Sequence, residues 1–96
     1  MSIVETSTFR LVAGANEQAF LASDRRVQTE LVPNQAGFIR RTTARRGERW
    51  LVVTLWGSQR DALAFDDLAT GHPVQLEFER HIDPAGMSTH RYETLD

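Results

Sequence analysis

"RWLVVTLWGSQRDALAF", residues 49–65, is the most apolar stretch of the chain, and its reading decides the fold. Side chains of a strand alternate between two faces. Trp50, Val52, Thr54 and Trp56 therefore share one face, and Leu51, Val53 and Leu55 the other. Neither set is polar, so both faces of this strand must be covered. After Gly57, Ser58 and Asp61 have the spacing of a capping box, and Ala62, Phe65 and Leu68 or Ala69 form the apolar stripe of a helix that Gly71 stops.

Working outward, residues 2–12 alternate and are rich in β-branched side chains, the signature of a strand. Asn16 is a helix N-cap with Glu17 in the first turn, and Phe20, Val27 and Leu31 recur at helical spacing, which predicts a helix over 17–31 ended by Pro33. Residues 38–46 form a second strand, joined through a hairpin at Gly47 to the third at 48–56. Pro73 opens a short helix over 73–82, "PAG" at 84–86 breaks the chain, and 87–95 make a last strand. The order β-α-β-β-α-(α)-β is that of a ferredoxin-like α+β domain spanning 1–96, with a four-stranded antiparallel sheet and its helices on one side. The first and third strands take the centre. Charged residues on the second and fourth suit edges.

Two helices cover one sheet face. Leu51, Val53 and Leu55 suit that face, which leaves Trp50, Val52 and Trp56 on the other. Large aromatics each bury on the order of 150–250 Å² when covered. Such a patch is seldom left to water. A second copy packed sheet to sheet in a twofold homodimer is the expected cover; the alternatives are a C-terminal helix folded beneath the sheet, or a Trp50 that sits at the frayed end of the strand.

A formal net charge of −2 gives no general attraction to nucleic acid or anionic membranes. The arginines of "RRTTARR" alternate between faces and form no single basic stripe. The chain has no cysteine, which excludes disulfides and thiolate chemistry. Three histidines without metal-binding spacing predict no metal site. The N-terminal stretch lacks a signal-peptide pattern and no apolar run spans a bilayer, so a cytoplasmic location is expected.

"TFRLVAGANEQAFLAS", "GFIRRTTARRGERWLVVTLWGSQRDALAF" and "GHP" together resemble the antibiotic biosynthesis monooxygenase-like family of the dimeric α+β barrel superfamily. The matching features are Phe20, Gly37-Phe38, Trp56-Gly57-Ser58 and His72-Pro73. The resemblance implies a homodimer whose sheets close into a barrel, with a small-molecule cleft between sheet and helices. It also implies oxidation of a phenolic molecule by oxygen without a cofactor. A haem-degrading branch uses an Asn on the first strand and a Trp in the second helix. Residues 3–12 hold no Asn and the helix aromatic is Phe65; only the branch's His near the end of that helix has a counterpart, His72, so no haem is expected.

Among individual residues, His72 either faces a pocket as proton donor or acceptor, or bonds the end of the preceding helix. Trp56 and Trp50, beside Thr54, are pocket wall or core. His90 and Tyr92 share a face of the last strand with Ser88, and lie beside the tryptophans if that face looks into the barrel. Asp24 and Gln28 follow Phe20 by four and eight residues along the first helix, where a carboxylate needs a partner such as Arg40 or Arg41. The catalytic candidates are thus His72, Arg40, His90 and Tyr92. The substrate-binding candidates are Trp56, Phe65, Thr54, Asp24 and Gln28. The sequence predicts a cofactor-independent monooxygenase for a small aromatic or apolar molecule; the alternative is a non-catalytic dimeric binding or stress-response module.

Overall fold

A computed structural model describes residues 1–95. Strand β1 (Ile3–Leu11) leads into α1 (Glu17–Arg26), a wide π-type turn over Val27–Leu31 and a 3₁₀ turn over Val32–Asn34. The hairpin β2 (Phe38–Arg46) and β3 (Arg49–Trp56) follows, then α2 (Gln59–Ala69), α3 (Pro73–Arg80) and β4 (Ile82–Glu93). The sheet is antiparallel in the order β2-β3-β1-β4. This is the ferredoxin-like βαββαβ arrangement, with the central and edge strands where the sequence puts them.

The helix boundaries follow from local chemistry. Asn16 accepts from the Ala19 N–H, and Ser58 caps α2 by accepting from the Asp61 N–H at 3.1 Å while donating to the Asp61 carboxylate at 2.8 Å. The predicted helix over 17–31 changes pitch after Arg26. Pro33 has no N–H to offer Thr29, and the Val32 N–H reaches back to the Val27 carbonyl instead. Gly37 has a φ of 78°, and a Cβ there would overlap the Asp61 carboxylate, so the start of β2 lies against the first turn of α2 only as glycine.

Two expectations are corrected. The last strand begins at Ile82, not 87, and runs through Pro84–Gly86 as a bulge: Thr8 pairs with Ser88 but Arg10 with Asp83. β4 is an edge strand, so the missing N–H of Pro84 breaks no ladder. The second correction concerns the sheet faces. Trp50, Val52, Thr54 and Trp56 are buried against the helices, and Leu51, Val53 and Leu55 lie half-buried on the open face. Side-chain volume is the reason. Trp56, 1% exposed, clusters with the small Ala62 of α2 and lies 5.0 Å from the Phe65 ring, while Trp50 sits 4.8 Å from Phe20 of α1. The indoles fill the space between layers that the small helix residues leave.

The open face carries Val4, Thr6 and Thr8 of β1 opposite Leu55, Val53 and Leu51, flanked by Arg40, Thr42 and Ala44 on β2 and by Ser88, His90 and Tyr92 on β4. The core lies on the other side, around Phe9, Phe20, Leu31, Val52 and Phe78. No helix among the described residues is long and apolar enough to cross a membrane.

Candidate functional site

The pleat of β1 aims Ile3, Glu5, Ser7 and Phe9 toward the helices, which puts a carboxylate and a hydroxyl among apolar neighbours. The same register brings Arg91 of β4 opposite Glu5, and Thr89 opposite Ser7. The Arg91 Nε donates to Glu5 Oε2 at 2.6 Å, and its Nη2 donates to Asp66 Oδ2 of α2, also at 2.6 Å. Partial burial pulls the Arg91 guanidinium down, but the hydrogen bonds it donates to Asp66 and Glu5 outweigh that and leave the group above its ordinary value. Ser7 and Thr89 share a hydrogen bond of 3.0 Å.

These residues floor a groove of about 760 Å³ between the sheet and α2–α3. Phe65 and Ala69 form its α2 wall, Gln75 and Leu76 its α3 wall, and Met87 comes from the β4 bulge. Glu5, Ser7, Phe65, Gln75 and Met87 also border a smaller chamber of about 80 Å³ that runs inward between the layers. Trp56, Thr54, Val52 and Phe78 line that chamber, together with Arg41.

Arg41 is the one buried arginine among the described residues. Its Nη1 lies 2.9 Å from Asp24 Oδ1 and donates to Gln28 Oε1 at 3.3 Å. Thr43 donates to the same Asp24 oxygen at 2.8 Å. The guanidinium lies over the Phe78 ring, 5.3 Å from its centroid. Burial pushes Arg41 below its ordinary value, and the charge and hydrogen bond of Asp24 offset part of that. A guanidinium remains protonated in such a setting.

The structure thus divides the sequence candidates. Trp56, Phe65 and Thr54 line the chamber, and Asp24 and Gln28 stand behind it, holding Arg41. Arg40, His90 and Tyr92 lie on the opposite sheet face, Arg40 pairing with Leu55, His90 with Thr6 and Tyr92 with Val4. His90 and Tyr92 are therefore not beside the tryptophans, because the pleat turns residues 90 and 92 away whenever Arg91 and Glu93 face in. His72 is the N-cap of α3: its Nδ1 accepts from the Val74 N–H at 3.2 Å. Its side chain caps the helix that follows, its backbone N–H donates to the Ala69 carbonyl at the end of the one before at 3.0 Å, and it borders neither groove nor chamber.

Glu5, Arg91, Asp66 and Gln75 are the residues sequence reasoning missed, and Arg41 entered it only as one of two possible partners of Asp24. Glu5 carried a signal, since it shares its strand face with Ile3 and Phe9. Arg91 would have followed from Glu5 once the register was known. Among the described residues, no cluster of His, Asp and Glu side chains is arranged to hold a metal ion.

No family model matches the chain, and no curated protein does. Solved structures do. SnoaB, a cofactor-independent oxygenase from Streptomyces nogalater, is 12% identical over 99% of this chain and 94% of that one, with a TM-score of 0.76. A provisionally named antibiotic biosynthesis monooxygenase from Bordetella bronchiseptica is 16% identical over 98% and 97%, with a TM-score of 0.80. A similarly named protein from Nitrosomonas europaea is 15% identical over 98% and 90%, with a TM-score of 0.74. The likeness in backbone covers almost every residue, and the chain has the fold of the antibiotic biosynthesis monooxygenase-like proteins.

Proposed function

We propose that this protein is a cofactor-independent monooxygenase acting on a small phenolic molecule bound in the groove. The observation that carries this reading is the Glu5–Arg91–Asp66 constellation at the groove floor, set against the apolar Phe65, Leu76 and Met87. A guanidinium has five N–H donors. Among the described residues two of those of Arg91 are engaged, by the carboxylates, and the others are available to a substrate oxygen. Glu5 accepts the phenol proton, and Arg91 stabilises the oxyanion that forms. Such an anion is a reductant for dioxygen. In the overall reaction a ring C–H and the phenol O–H break, one oxygen atom becomes a second carbonyl, and the other leaves with both hydrogens as water. Phenol and dioxygen give quinone and water with no further reductant. The likeness in fold to a cofactor-independent oxygenase supports the same chemistry.

The test is oxygen uptake with a panel of phenols, naphthols and anthrones that keep a C–H at the carbon to be oxidised, read together with quinone absorbance and with a peroxide assay that stays blank. One dioxygen is consumed per quinone formed. Glu5→Gln lowers kcat by about a hundredfold, the lower end of what a positioned base supplies. No uptake across the panel overturns the reading.

A second reading, a non-catalytic ligand-binding module, has one observation in its favour: Glu5 and Asp66 already neutralise Arg91. It predicts that a phenol bound by the protein in air is recovered unchanged.

A further inference from the structure

Four polar residues stand in one row across the sheet. Arg91 of β4 pairs with Glu5 of β1, Glu5 with Thr54 of β3, and Thr54 with Arg41 of β2. The groove borders Arg91 and Glu5, and the chamber borders Glu5, Thr54 and Arg41. Neighbouring strands lie about 4.8 Å apart, so the backbones of Glu5 and Arg41 are separated by about 10 Å, within the reach of one ring and a short arm. Arg41 meets Asp24, Gln28 and Thr43 through Nη1 alone. Its Nε and Nη2 have no hydrogen-bond partner among the described residues, and neither has the Thr54 hydroxyl. No fully buried side-chain nitrogen or oxygen among those residues lacks a partner, so these groups reach open space, and the space that Arg41 and Thr54 both border is the chamber.

We infer that the chamber takes a short acyl arm of the phenol, whose carbonyl oxygen accepts from Arg41 and Thr54 while the ring stays in the groove. The inference rests on the proposed function for the place of the phenol, and it names the substrate class: an acyl-substituted phenol. Size excludes a second ring, since the chamber's 80 Å³ is roughly half the ~150 Å³ of a cavity that takes up benzene. Charge selects a neutral acceptor. Asp24 already balances Arg41, and Glu5 and Asp66 outnumber Arg91, so a carboxylate arm meets net negative charge. Any arm that enters displaces water from these donors. A carbonyl restores the hydrogen bond, whereas an alkyl arm of the same size leaves a guanidinium N–H unpaired.

The experiment measures dissociation constants under nitrogen, where nothing turns over. The probes are meta- and para-hydroxyacetophenone, each against the ethylphenol that carries CH₂ in place of its carbonyl. The two members of a pair differ in acidity, so the quantity read is the ethylphenol-to-ketone ratio of dissociation constants in the wild type against the same ratio in a variant. That ratio falls about tenfold in Asp24→Leu/Arg41→Met, the effect of one hydrogen bond to a charged donor, while ethylphenol affinity holds. Should the double variant fail to fold, Thr54→Val, which keeps the side-chain volume, carries the test with a severalfold fall. An unchanged ratio overturns the inference. So does a hydroxybenzoate that binds more tightly than the ketone, or no binding of either ketone at millimolar concentration. Uptake of oxygen on phenols with an unchanged ratio removes the acyl pocket alone. A ketone preference that the variants lose, with no uptake on any phenol, confirms the pocket and overturns only the oxygenase reading.

Discussion

At Asp24 the decisive fact is that a cation has been carried into the core. The Arg41 side chain is 4% exposed, and Asp24 supplies its only carboxylate contact among the described residues. Removing one partner of a buried pair strands a charge, at a cost of about 3–5 kcal/mol, whereas replacing both with apolar groups of similar volume is often neutral. Asp24 is 15% exposed, so water softens the loss and the lower end applies. We expect Asp24→Leu to destabilise by about 3 kcal/mol in urea unfolding, and the Asp24→Leu/Arg41→Met double variant to recover most of it. If the single variant costs no more than the double, the pair does not hold this part of the core together. The exposed pair Arg10–Glu48 makes the contrast: water screens it, and its loss should be barely measurable.

At the scale of elements, the junction of β2 with α2 is the tightest point of the fold. Gly57 donates to the Gly37 carbonyl at 2.7 Å, and the Asp61 carboxylate occupies the space a Cβ at position 37 would need. Gly37→Ala therefore meets both a left-handed backbone and a clash. It should destabilise by more than the roughly 1 kcal/mol that separates glycine from alanine at compatible positions. Loss of the α2 cap in Ser58→Ala should cost about 1 kcal/mol. Thermal unfolding of the two variants ranks them, and a Gly37→Ala protein as stable as Ser58→Ala contradicts the packing described. The caps at Asn16 and Ser58, the hairpin at Gly47 and the stop at Gly71 were all legible in the sequence, because each is decided by residues a few positions apart. The β4 bulge was not. A Pro-Ala-Gly run reads as a break even in an edge strand, until pairing with β1 on both sides of it shows the register shift between Thr8 and Arg10.

At the scale of the whole molecule, the helix-free face of the sheet is the unfinished surface. Val4, Leu51, Val53 and Leu55 lie there half-buried, with Tyr92 56% exposed beside them. We propose that a second copy covers this face in a twofold dimer, closing the two sheets into a barrel. The expectation of a covered face was argued from the tryptophans. The same proposal now rests on aliphatic residues, since the indoles are inside. Val53→Arg places like charges across the proposed twofold interface, so light scattering should report twice the 10.9 kDa chain mass for the wild type and a single chain for the variant. A wild-type species of one chain mass at micromolar concentration removes the dimer. Groove and chamber lie on the opposite face, so that result leaves the oxygenase reading standing.

The sequence by itself determined the order of the elements, their caps and turns, the central place of β3 and the need of a partner for Asp24. These follow from period, from φ-permissive residues and from the cost of an unpaired carboxylate, all of which act locally or need only one neighbour. Only the tertiary structure decided which face of β3 turns inward, that Arg41 and not Arg40 meets Asp24, and that Glu5, Arg91 and Asp66 converge. Alternation fixes which residues travel together but not the side to which they turn. That choice is made by the volumes of Ala62, Phe20 and Phe78 on the covering helices, and by a register that joins residue 5 to residue 91.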